Sequence, residues 1–341
     1  MRILVVGAGA IGGYFGGRLL EAGRDVTFLV RPRRAAQLAE RGLAITSPAG
    51  NYRHPRPPTI QADALREPFD LVLLSCKAYD LDEAIRSLAP AVGPRTTILP
   101  LLNGMQHIDV LERRFGPAAV LGGQCVISVA LDDQGHVAHL NDIARLAFGE
   151  RNAPPSSRTD AIEAALAGAR FDSRRSESIL REMWEKWVFI ATLAGVTCLM
   201  RASVGDVVAA GGADVAGALL AECAAIATRS GCAPGAASMQ RNLAMLTAPG
   251  SALTASMLRD LESGGPTEVE HVLGDLLRRG ESQQPPHPLL RAAYVHVAAY
   301  ERRRAKAGGS PQTERLPRED ARSQRAALDS PKPSAGRPPR T

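Results

Sequence analysis

Ile3-Leu4-Val5-Val6-Gly7-Ala8-Gly9-Ala10-Ile11-Gly12 is the stretch that decides the fold. Four aliphatic residues, three of them β-branched, form a buried strand, and a G-x-G-x-x-G follows at once. Each glycine has a separate task. Gly7 permits the tight turn, Gly9 lets the backbone approach a pyrophosphate, and Gly12 lets the next helix pack against the strand. Ala8, Ala10 and Ile11 complete a loop whose helix N-terminus faces the anion. The spacing predicts a helix from 11 to 22 and a second buried strand at 25–30. Strand, helix and strand within about thirty residues form a βαβ unit.

Further strands are predicted at 71–75, 97–101 and 120–128, with helices at 33–41, 80–89 and 105–115. Segments near 137–149 and 169–172 read as edge strands. This alternation implies a Rossmann-type α/β domain with a mostly parallel sheet over residues 1–174. Beyond it the pattern is helical, at 178–200, 203–210, 213–230, 252–263, 267–279 and 286–303. Residues 175–303 therefore read as an all-α domain, and residues 304–341 as a disordered, basic Pro/Arg-rich tail.

The chain has 341 residues, 45% apolar and 22% charged, as in a globular protein of two domains. Its formal charge of +6 does not indicate a nucleic-acid partner, because of where the charge sits. Residues 301–341 hold 11 Lys and Arg against 5 Asp and Glu, and residues 1–300 hold 30 of each sign. The body thus has no excess positive field to steer a polyanion. Five widely spaced cysteines and no C-x-x-C argue against a disulfide scaffold or zinc site and for the cytoplasm. The seven histidines form no ligand-like cluster, so no metal site is expected. The apolar run at 188–200 is too short to span a membrane.

An NAD enzyme would place an acidic residue at the end of the second strand. Here that strand runs into Arg31-Pro32-Arg33-Arg34, and an arginine suits a 2′-phosphate. Arg31 is the residue expected to meet that phosphate, which makes NADPH the expected cofactor. Lysine is scarce: Lys77 and Lys186 are the only two in the first 300 residues. A position that keeps Lys among so many Arg is a candidate for needing an amine that can give up its proton. Lys77 follows a strand at the carboxyl edge of the sheet. Lys186 lies early in the first long helix of the second half. Taken locally, Lys186 reads equally well as an i,i+4 partner of Glu182 on a solvated face.

With these residues assembled, the chain resembles the ketopantoate reductase family over nearly all of residues 1–300. The resemblance rests on an ordered set: the glycine loop, Cys76-Lys77-Ala78, Leu102-Asn103-Gly104-Met105, Trp184-Glu185-Lys186, and Ser256-Met257-Leu258-Arg259-Asp260 leading to Pro266-Thr267-Glu268. It implies an NADPH-dependent reductase of a small-molecule 2-keto acid, with the substrate bound between the two domains. Lys186 matches the general acid, and Asn103 an asparagine near nicotinamide and substrate. Ser256 matches a substrate-binding serine, and Lys77 a lysine on the cofactor side. Glu268 matches a glutamate that contacts cofactor and the polar network. Read alone, Glu268 is a first-turn residue of a helix capped by a Thr267-x-x-Glu270 box.

The family's usual asparagines one and two turns after the lysine are here Ile190 and Ala194, and its asparagine before a glycine is Leu273. Loss of these amides removes hydrogen bonds that select a hydroxylated substrate. A paralogue for a more apolar 2-keto acid is the alternative, and a non-enzymatic NADP(H) sensor is a further one. The sequence leaves the oligomeric state open, a homodimer included.

Overall fold

The computed structural model describes residues 1–281 and 286–309. Its elements begin with β1 (Arg2–Val6), α1 (Ala10–Glu21), β2 (Asp25–Leu29), α2 (Pro32–Arg41), β3 (Leu43–Thr46), β4 (Tyr52–His54), β5 (Thr59–Ile60) and β6 (Leu71–Leu74). Next come α3 (Leu81–Leu88), β7 (Thr97–Pro100), α4 (Gln106–Phe115), β8 (Gly122–Leu131), β9 (Val137–Gly149), α5 (Ser157–Leu166) and β10 (Asp172–Arg175). Only helices follow: α6 (Ile179–Met200), α7 (Val204–Ala209), α8 (Ala213–Arg229), α9 (Ala236–Leu246), α10 (Ser256–Glu262), a π-helical turn (Glu270–Gly274), α11 (Asp275–Gly280) and α12 (Pro288–Gly309).

The first sheet has the order β5-β2-β1-β6-β7, and every pairing in it is parallel. β1 lies at its centre because it is apolar on both faces, as a strand covered on both sides must be. Ile3, Leu4, Val5 and Val6 are between 0% and 4% exposed. Their side chains alternate between two cores. Ile3 and Val5 join Leu71, Leu73, Tyr14, Phe15 and Leu19 on the α1 side. Leu4 and Val6 join Val72, Leu74, Trp184 and Trp187 on the other. This second core takes in Leu81, Ile85 and Leu88 of α3 and Ile108 and Leu111 of α4, and it continues through α6 and α8, with α6 packed against β8 and β9. The register Val6↔Leu29 and Val6↔Leu74 brings the carboxyl ends of β1, β2 and β6 to one edge. The strand order reverses beside β1, which is where such sheets bind ligands.

The segments expected to extend this sheet do something else. β8, β9 and β10 form a second, mixed sheet with the β3–β4 hairpin, in the order β10-β9-β3-β4, with β8 antiparallel to β9. A long antiparallel hairpin can satisfy its backbone within itself, and among the described residues an isolated bridge from Ile98 of β7 to Val120, just before β8, joins the first sheet to its start. The sequence reading also missed β3, β4, β5, α5 and α9. α9 turns Ser238, Asn242 and Leu246 inward, so its buried stripe is mostly polar and its periodicity weak.

Helix α6 is long and apolar enough to cross a membrane, yet about two thirds of its apolar stretch (67%) is buried in the protein. It is a core helix. α12 continues to Gly309, past the expected helix end at 303. The tail expected from 304 lies, from residue 310 on, outside the described residues.

The fully buried Trp187 donates its indole N–H to the Val272 carbonyl at 2.8 Å, tying α6 to the π-helical turn. Trp187→Phe keeps most of the apolar surface but strands that carbonyl, so a stability loss of about 1–3 kcal/mol is expected in urea denaturation.

Candidate functional site

The glycine loop after β1 fits a dinucleotide phosphate on its own geometry. Gly7 has φ +91°, a left-handed conformation that side chains rarely adopt. Gly9 is the N-cap of α1, and a Cβ built there meets no atom within 4 Å, so the space beside it is open. At Gly12 a Cβ would lie 2.0 Å from the Gly7 carbonyl oxygen and 2.3 Å from Ser75 Oγ. The first turn of α1 holds no acidic residue, and its N–H groups lack intrahelical partners, which leaves an anion-binding helix end. Ser75, at the end of β6, braces the turn through Val6 O (2.9 Å) and Gly7 O (3.2 Å). Nothing in the sequence marked it, because the contact joins two strands 68 residues apart.

Arg31 caps α2 just beyond β2, where it was expected. Its guanidinium is not free. Nη2 reaches Asp80 Oδ1 at 2.8 Å and Glu83 Oε2 at 2.5 Å, and Nε reaches Glu83 Oε1 at 3.1 Å. The hydrogen bonds it donates to Asp80 and then to Glu83 hold its pKa above the ordinary value. Arg34 turns inward instead, donating to the Ala8 carbonyl at 2.9 Å and to Gln37, and burial pushes its pKa down.

Lys77, Glu268 and α10 meet at the edge of the sheet. Lys77 Nζ lies 3.2 Å from Asp260 Oδ2 and 3.7 Å from Glu268 Oε2. Glu268 also accepts the Ala78 backbone N–H at 2.8 Å. Desolvation pulls the Lys77 pKa down, but the Glu268 and Asp260 carboxylates overcome it and hold the ammonium above its usual value. Ser256, one helical turn before Asp260, is exposed at the start of α10. The expected capping box is not formed. Thr267 Oγ1 is buried without a partner, and Glu270 is engaged by Arg278 and Tyr294. Glu301 takes the Thr267 N–H at 2.6 Å instead.

Lys186 and Asn103 line one small cavity, together with Gly123, Gln124, Met183, Trp187 and Ile190. Lys186 is half-buried, and among the described residues it makes no hydrogen bond or ion pair. The pairing with Glu182 does not occur. Glu182 is taken by Arg174 (2.5 Å), Ser176 (2.6 Å) and Gln124 (3.0 Å). Neither Glu268 nor Ser256 lines this cavity. Of the three replaced asparagine positions, Ile190 faces it, while Ala194 and Leu273 lie in the core.

The turn that carries Asn103 is fixed from behind by residues the sequence did not single out. Gly104 has φ +77°, and a Cβ there would meet the His271 carbonyl oxygen at 2.8 Å and its ring at 2.9 Å. His271 Nε2 lies 3.1 Å from His107 Nδ1, two rings stacked inside the protein. Burial pushes His107 well below 6.5, reinforced by His271 and Lys186, and desolvation lowers His271 as well. Both rings are therefore neutral at neutral pH.

A family model described as ketopantoate reductase PanE/ApbA matches residues 3–153, and one described as its C terminal matches residues 178–301. The chain belongs to the ketopantoate reductase family. With that membership come oxidoreductase activity and the NADPH dependence that the glycine loop can accommodate. The uncharacterized oxidoreductase YkpB of Bacillus subtilis is 37% identical over 88% of this chain and 99% of its own length. The 2-dehydropantoate 2-reductase of Archaeoglobus fulgidus is 28% identical over 82% of this chain and 91% of its own. The crystal structure of 2-dehydropantoate 2-reductase from Methylococcus capsulatus superposes with a TM-score of 0.79 at 26% identity, covering 89% of this chain and 98% of that one.

Gly12→Ala forces a methyl into backbone, so loss of NADPH binding is expected in a fluorescence titration. The histidine pair has a pH signature. Unfolding below about pH 6.5 lets His107 and His271 take up protons that the fold excludes. Stability should therefore fall as pH drops through that range, and His107→Phe should flatten the fall, read as denaturation midpoint against pH.

Proposed function

We propose that this chain reduces a 2-keto acid to the 2-hydroxy acid with NADPH, with residues 1–174 holding the coenzyme and residues 175–303 supplying the substrate groups. The observation that carries this reading is the cavity shared by Lys186 and Asn103. It is lined by one amine, which no carboxylate among the described residues neutralises, and by an amide, with Gly123, Trp187 and Ile190 beside them. When bound, the coenzyme supplies a hydride to the keto carbon. Charge then develops on the former carbonyl oxygen, and Lys186 stabilises that charge and delivers its proton there. Asn103 orients the same oxygen, and the neutral His107–His271 pair holds the Asn103–Gly104 turn without adding a competing charge.

Ser256 and Glu268 act from the α10 side of the cleft. Ser256 is exposed and makes no side-chain hydrogen bond among the described residues, which suits a ligand for the substrate carboxylate. Glu268 ties the Ala78 amide and Lys77 to the helical half, so its role is to hold the coenzyme side of the cleft in register with the substrate side. Lys77, already neutralised by two carboxylates, is a poor proton donor beside the unpaired Lys186.

Ketopantoate, the substrate named by the family, is the first to try, and it would set the enzyme in pantothenate synthesis in the cytoplasm. Ile190 and Met183 on the cavity wall favour a second reading, a more apolar branched or aromatic 2-keto acid. An apolar wall offers a distal hydroxyl no partner, and an unpaired buried polar group is costly. NADPH oxidation by the purified protein against a panel of 2-keto acids tests both. Turnover is expected, with ketopantoate and apolar keto acids ranked by kcat/KM, and Lys186→Ala should lower kcat by about 10²–10⁴-fold with NADPH affinity intact. Tight NADPH binding with no turnover of any keto acid would make the chain a nucleotide sensor.

A further inference from the structure

The end of β2 carries an arginine, yet the structure surrounds that arginine with acid. In a dinucleotide-binding sheet this position meets the ribose 2′ substituent. A guanidinium there answers a 2′-phosphate with its planar fork of N–H donors. Glu83 already fills one edge of the fork, taking Nε at 3.1 Å and Nη2 at 2.5 Å, and Asp80 adds a contact to Nη2 at 2.8 Å. One positive charge therefore faces two negative ones. Arg34 cannot restore the balance, because it is committed to the Ala8 carbonyl and Gln37.

A phosphate dianion docking on Arg31 has to displace Glu83 and settle beside Asp80. The 2′-hydroxyl of NADH meets no such obstacle. It is neutral, and a carboxylate can accept its proton in a hydrogen bond, the arrangement that NAD enzymes use. All three side chains are partly solvated, with exposures of 55% for Arg31, 31% for Asp80 and 53% for Glu83. Ion pairs of that kind are weak, so a phosphate can break them, and the acid pair acts as a graded handicap instead of a block.

Taking Arg31 as the residue that meets the 2′-phosphate, we propose that Asp80 and Glu83 set the coenzyme selectivity of this enzyme. Glu83 competes with the phosphate for the guanidinium and Asp80 repels it, which narrows the preference for NADPH over NADH. Neither residue was singled out by sequence, since they lie 49 and 52 positions beyond Arg31.

The test is equilibrium binding of each coenzyme to the full-length protein, read by nicotinamide fluorescence, for the wild type and for Asp80→Asn/Glu83→Gln. Both substitutions are near-isosteric and at the surface, and an unchanged melting temperature checks the fold. The double variant should bind NADPH roughly tenfold more tightly or better at low salt, with NADH unchanged or weakened. The gain should shrink as salt is raised, and it should vanish when Arg31→Ala is added. Unchanged NADPH affinity in the double variant would overturn the proposal. Equal tightening of both coenzymes, or a gain that survives loss of Arg31, would also overturn it. Arg31→Ala in the wild-type background tests the underlying reading separately. A loss of affinity for NADPH alone supports it, and an equal loss for both coenzymes would remove Arg31 as the 2′-phosphate reader.

Discussion

The site depends on one continuous hydrophobic core that runs from β1 through α3 and α4 to α6. Leu4 and Val6 of β1 share a core with Trp184 and Trp187, while Ile3 and Val5 face the opposite side and hold α1. Period-two alternation along a single strand thus couples the glycine loop, which follows Val6, to the helix that carries Lys186. A packed core is nearly incompressible, so the amine cannot drift from the loop without opening a void. The indole hydrogen bond from Trp187 to Val272 extends this rigidity to the π-helical turn.

That turn serves both sides of the cavity. His271 presses on Gly104 and pairs with His107, and Val272 receives Trp187, so the segments bearing Asn103 and Lys186 are braced by one short stretch. A π-helical turn is wider than an α-helix and is often found where function requires a particular side-chain direction. Here it points a histidine at the Asn103–Gly104 turn and a carbonyl at α6. Because burial keeps both histidines neutral, they support the turn without adding positive charge beside the Lys186 ammonium.

The charged groups of the site divide into two sets with different surroundings. Lys77 is neutralised by Asp260 and Glu268 and joins the sheet edge to α10, whereas Lys186 has no carboxylate partner among the described residues. The two scarce lysines therefore have different chemistry despite the same side chain. Arg31 resembles Lys77 in being held by acid, and Glu182 is drawn away from Lys186 by Arg174 and Ser176. In each case the identity of the neighbour, more than the type of the residue, decides what the charge is available to do.

The β1 run, the glycine loop and the βαβ unit were legible in the sequence because their determinants are local. Aliphatic periodicity and backbone freedom at Gly7 and Gly12 act over fewer than thirty residues. The lysine scarcity likewise pointed to Lys77 and Lys186, since it is a property of composition alone. What the chain alone did not reveal was partnership: the second sheet, the histidine pair 164 residues apart, and the two carboxylates on Arg31. Hydrogen bonding, ion pairing and burial arise from groups that meet only when distant segments pack, and no local pattern encodes which ones will meet. Sequence determined which residues were available for chemistry. Tertiary structure decided which of them are paired and which stand free.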